Sequence, residues 1–156
     1  RIGKEIHLID YYETSGESLA HYANVLEEKD YAYSSHIAPH DITARELGTG
    51  KSRLEVANEL GIDFDVAPKL EVHHGIESVR NTLPNCWFDR EKCKVGLDAL
   101  RQYRKQWDEK NQVFKNKPHH NWCSHAADSF RYGCVSEPID TSDWDRPITV
   151  DTKYVI

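Results

Sequence analysis

Stretches rich in β-branched and aromatic residues alternate along this chain with stretches whose apolar residues recur every three or four positions. That alternation limits the fold more than any single motif does. Glu5 to Tyr12, E-I-H-L-I-D-Y-Y, places Ile6, Leu8 and Asp10 on one face of a predicted strand and His7, Ile9 and Tyr11 on the other. A helix is expected from Ser15–Glu17 to about Lys29, capped by Ser15 or Ser18, with Leu19, Tyr22, Ala23, Val25 and Leu26 as its stripe. Tyr33 to Ala38 reads as a second strand ending at Pro39, and Ser52 to Leu60 as a second helix stopped by Gly61. Phe64 to Ala67 is a third short strand, and Ile76 to Leu83 a short helix ended before Pro84. Asp89 to Asp108 is the longest periodic segment, striped by Val95, Leu97, Leu100, Tyr103 and Trp107. A last helix is expected over Ser124–Val135, with residues 136–156 as a tail or late strand.

Strand and helix in alternation predict an α/β layered fold, in which ligands gather beyond the carboxyl ends of the strands. Asp41 lies just past such an end. The 156 residues are one domain's worth of chain, enough to bury roughly 70% of the surface an unfolded chain exposes. No run approaches a membrane span and no secretory leader is visible, so a soluble, non-secreted protein is expected. Cys86, Cys93, Cys123 and Cys134 form no C-x-x-C pair and read as reduced thiols. A net charge of −6 argues against holding nucleic acid by bulk electrostatics. It leaves room for an enzyme whose carboxylates gather metal ions, since bound ions restore local positive potential.

The segment E-L-G-T-G-K-S-R, residues 46–53, ends like a phosphate-binding loop. The full pattern needs a glycine where this chain has Arg45, and a strand immediately before it. A nucleotide pocket is therefore not expected there.

In H-A-A-D-S-F-R-Y, residues 125–132, His125 and Asp128 share one helical face among small residues that let the helix lie close to a sheet. A carboxylate on such a helix wants a cation or a second group. Asp41 and Asp128 together make a candidate ligand pair for two Mg²⁺ or Mn²⁺ ions, hard cations that prefer oxygen. An aspartate after a strand is more often a turn former or helix cap. His40 and His125 are placed to orient a carboxylate or a water, and His73 and His74 read as exposed loop residues. His119, His120, Cys123 and His125, joined by Cys86 or Cys93, offer a rival zinc site and with it a zinc-containing binding module, but their spacing does not match a zinc pattern. A Cys123–His125 nucleophile pair is disfavoured, because residues two apart on a helix do not face each other.

The strings I-D-Y-Y-E-T-S-G, H-I-A-P-H-D-I, G-I-E-S-V-R, C-W-F-D followed by C-x-x-G-L-x-A-L-R-x-Y, and H-H-N-W-C-S-H-A-A-D-S-F-R-Y-G occur in that order. Over about residues 5–133 the chain resembles the nuclease domain of tailed-bacteriophage large terminases. The resemblance implies an RNase H-like layered fold, a central mixed sheet flanked by helices, over residues 1–135. It implies a hydrolase that cuts double-stranded DNA during genome packaging with two divalent metals, whose acidic positions fall on Asp41 and Asp128. The partners implied are an ATPase domain preceding the nuclease in the same polypeptide, the portal protein and the small terminase subunit. Host cytoplasm is the implied location, transiently at the procapsid portal. The loop at Gly48–Ser52 is then expected to be flexible, with Arg45, Lys51 and Arg53 on DNA phosphates. The resemblance also implies an earlier strand bearing a further catalytic aspartate upstream of Arg1, so weak metal binding and poor cleavage are expected without it. Asp10 reads as an exposed strand residue. Other RNase H-like nucleases, junction resolvases or integrase-like transferases, are the alternative.

Overall fold

The computed structural model describes residues 4–136. The expected tail therefore falls, but for Ser136, outside the described residues. In chain order the elements are β1 (Ile6–Leu8), α1 (Leu19–Glu28), β2 (His36–Ala38), a 3-10 turn (His40–Thr43), α2 (Arg53–Glu59), β3 (Phe64–Val66) and α3 (Val72–Thr82). There follow a second 3-10 turn (Leu83–Asn85), β4 (Cys86–Phe88), α4 (Lys94–Gln102), β5 (Lys105–Asp108), β6 (Val113–Pro118) and α5 (Cys123–Ser136). The α/β class holds. The described strands do not form one central sheet: they pair as three two-stranded sheets. β1 runs parallel to β4, β2 parallel to β3, and β5 antiparallel to β6.

Local chemistry explains where the elements stop. Ser52 caps α2 through a capping box: its hydroxyl accepts from the Glu55 N–H at 3.1 Å while the Glu55 carboxylate accepts from the Ser52 N–H at 2.7 Å. Beyond Leu60 the chain turns at Gly61, whose φ of +80° is a conformation that costs glycine nothing. α4 stops at Tyr103, which takes an extended φ of −66° and ψ of 121°. The expected continuous helix through Asp108 is thus two things, a helix and the first strand of a hairpin.

Two helix contacts set the layers. α3 and α5 meet at Gly75, where a Cβ would lie 2.7 Å from Cδ of Arg131. Gly96 lets α4 approach the Tyr11 ring, within 3.0 Å of where its Cβ would be. α4 and α5 enclose Ala99, Cys123 and Ala126 against Tyr11. β2 in turn packs on α5. No helix among the described residues is long and apolar enough to cross a membrane.

Candidate active site

The turn after β2 sorts its side chains by burial. Ala38 is buried and Pro39 is extended, and the 3-10 turn closes with the Ile42 N–H on the Pro39 carbonyl and the Ala44 N–H on the Asp41 carbonyl, both at 3.0 Å. Ile42 points inward, so Asp41 is left on the surface. Beside it, the buried Nδ1 of His40 has no hydrogen-bond partner among the described residues. A buried orphan nitrogen of this kind usually marks a water or ion contact.

Asp128 sits one turn after His125 on α5, the helix against which β2 packs. Its carboxylate accepts from Arg131 at 2.9 Å. Arg131 is 7% exposed and its guanidinium lies 4.7 Å from the Tyr132 ring centre. Asp128 is therefore already supplied with a cation from its own helix, which the spacing R-131 after D-128 could have signalled. Burial, and after it the negative field of Asp128, raise the Tyr103 phenol above its ordinary range. His125 is exposed, with its ring edge-on to His120 at 6.1 Å.

Asp41 thus lies in the turn that follows β2, and Asp128 on the helix against which β2 packs. Among the described residues no group of three or more His, Cys, Asp or Glu is placed to hold one ion. Each carboxylate is of the oxygen type that Mg²⁺ or Mn²⁺ takes singly or in pairs, with waters completing the shell, but His40, Asp41 and Asp128 do not form such a group. Nor do the residues suit zinc, since Cys123 is fully buried against Ala99 and Ala126.

No family model, curated protein or solved structure matches the chain.

The segment from Arg45 to Ser52, which includes the expected loop at Gly48–Ser52, is closed by internal bonds. Arg45 and Ser52 form a β-bridge, the Gly50 N–H bonds the Glu46 carbonyl at 2.8 Å, and Arg45 donates to the Gly50 carbonyl at 2.7 Å. Lys51 pairs with Glu59 at 2.5 Å and Arg53 with Glu46 at 3.1 Å. Three of the N–H groups a phosphate cradle would draw on are already used, since that of Gly50 bonds Glu46, that of Lys51 bonds Thr49 and that of Ser52 bonds Glu55. The three basic residues are nevertheless exposed, and surface pairs of this kind exchange readily for other anions.

Asp10 departs most from its reading. It lies past β1, only 20% exposed, held by the Lys29 ammonium, the Tyr11 N–H and, at 3.4 Å, the Tyr31 hydroxyl. The hydrogen bond from Lys29, with its charge, holds the Asp10 carboxyl below the usual carboxylate range. His73 and His74 are exposed as expected, but on α3, not in a loop.

Proposed function

We propose that this chain is a metal-dependent endonuclease domain of the RNase H-like kind, acting on double-stranded DNA in a phage packaging motor. The observation that carries the reading is the placement of Asp41 at the carboxyl end of parallel strand β2, with Asp128 on the helix packed against that strand. This is where open α/β sheets assemble their ligand sites. The ordered set of sequence strings that resembles terminase nucleases supplies the reaction class.

Divalent ions, when bound, supply Lewis acidity for phosphodiester hydrolysis. The chain's own residues hold and orient. Asp41 offers an exposed carboxylate, Arg131 fixes the rotamer of Asp128, and His40 and His125 flank the two acids. Arg45, Lys51 and Arg53, on the exposed turn after the site, exchange Glu46, Glu55 and Glu59 for DNA phosphates. The motor ATPase, portal and small subunit belong to the same proposal, as does the host cytoplasm.

An apolar cavity of about 330 Å³ supports a further strand. Ile6 and Leu8 of β1, Ile37 of β2 and Phe130 of α5 line it, and β1 and β2 each have a single strand neighbour among the described residues. A strand seated between them would merge two small sheets into one and bring another carboxylate toward Asp41.

The test is nicking of supercoiled plasmid in Mg²⁺ or Mn²⁺ by a polypeptide that includes the proposed strand. Asp41→Asn should abolish nicking and leave the melting temperature in place. Asp128→Asn should abolish it too, but with some loss of stability, because Arg131 is left buried with a weaker partner. Full activity in Asp41→Asn would end the proposal, and cutting confined to branched DNA would move it to a junction nuclease.

A further inference from the structure

The hairpin of β5 and β6 is unlike the rest of the molecule in charge and in exposure. Arg104 to Pro118 holds five cations, Arg104, Lys105, Lys110, Lys115 and Lys117, against Asp108 and Glu109, a net charge of +3 in a chain of −6. Trp107 faces Phe114 across the two strands with ring centres 4.8 Å apart at 68°. Such a pair steadies a hairpin, yet Trp107 is 40% and Phe114 62% exposed. Among the described elements the extensive contacts of each strand are with the other. The rings share one open hollow with Arg104, Lys105, Glu109 and His119.

The hairpin leaves the end of α4 and returns to the start of α5, the helix that carries Asp128. The first strand leaves from Tyr103, whose phenol lies in the field of that carboxylate. The second returns at His119, where the His119 N–H bonds the Arg104 carbonyl at 2.9 Å and the His119 carbonyl accepts from Ser124 at the start of α5.

We propose that this hairpin is a nucleic-acid arm that takes an unpaired stretch of DNA, with bases stacking on Phe114 and Trp107 and phosphates meeting Arg104 and Lys105. Exposed rings interleaved with cations suit single strands, whose bases present open faces. The choice of DNA over RNA rests on the endonuclease reading above; the single-strand chemistry does not. An arm so placed would hold a frayed strand next to the site that cuts.

Fluorescence anisotropy with a labelled oligothymidylate and with a duplex of equal length, in EDTA and low salt, tests this without involving cleavage. The protein should bind the single strand more tightly than the duplex. Phe114→Leu, which keeps an apolar side chain and is expected to fold, should weaken single-strand binding about fivefold or more, and Trp107→Ala/Phe114→Ala further still. Arg104→Glu/Lys105→Glu should weaken it as well and flatten its salt dependence. Wild-type affinity in all these variants, or no binding by the parent, would overturn the arm. So would self-association or protein capture lost in Phe114→Leu, which would assign the rings to a protein interface. Because metal is absent, a failure here is separate from any retention of nicking by Asp41→Asn.

Discussion

At the scale of single residues, the side chain that sequence reasoning passed over is Asp10. Polar alternation in E-I-H-L-I-D-Y-Y places it on a strand face, but β1 ends at Leu8 and Asp10 instead gathers donors from Lys29, Tyr11 and Tyr31. Lys29 lies beyond α1, and no local spacing relates it to Asp10. Its carboxyl titrates lower in the folded chain than in the unfolded one, so the unfolded chain binds the proton more readily. The stability it contributes is therefore fully present above the ordinary carboxylate range and is lost as pH falls through the lowered value. Asp10→Asn should cost about 1–3 kcal/mol at pH 7, as for a hydrogen bond to a charged group. In urea titrations the gap between parent and variant should close as the pH is taken well below about 4. A gap of unchanged size at low pH would contradict this account of Asp10. Asp128 shows the same lesson from the other side: H-A-A-D suggests a carboxylate turned inward, whereas its side chain is 39% exposed, and its pairing with Arg131 requires the next turn of the helix to be read as well.

At the scale of elements, α2 shows how a misleading motif acquires a plain cause. G-K-S stands where it does because Ser52 begins a helix, S-R-L-E being a capping box. Ser52→Ala should destabilise the fold by about 1 kcal/mol in urea unfolding while leaving ATP binding absent in both proteins. ATP binding by the parent that the substitution removes would reinstate the nucleotide pocket. Most helices were legible from their apolar spacing, and β2, β3 and α5 from their composition. The hairpin was not. Trp107 continues the spacing of Leu100 and Tyr103 at helical intervals, so the stripe conceals the helix end at Gln102. The polar run D-E-K-N-Q was the available signal: Asp108 accepts from the Lys110 and Asn111 N–H groups, and Gln112 adopts a φ of 55°. β4, three residues between a 3-10 turn and an Asp-led turn, is too short to show a period.

At the scale of the whole molecule, the core is built from small residues. The buried apolar set is largely alanine, cysteine and isoleucine, and Cys123 is the largest side chain below 2% exposure among the described residues. Leu8, Leu97, Leu100 and Phe130 instead line the cavity between the small sheets. Protein interiors are normally filled to crystal-like density, so this open centre fits the proposal of an inserted strand. No periodicity in residues 4–136 could have revealed that space, because it lies between elements. The same arrangement brings β2 against α5, so that one proposed metal-binding acid lies on that helix and the other in the turn after that strand. Titration of ¹⁵N-labelled protein with Mn²⁺ tests that convergence most directly, since a paramagnetic ion broadens nearby amide signals even when it binds weakly. Selective loss of signals around both Asp41 and Asp128 at low Mn²⁺, abolished by Asp41→Asn, is the expected result. Broadening at only one of the two positions, or first at unrelated acidic surface residues, would contradict it.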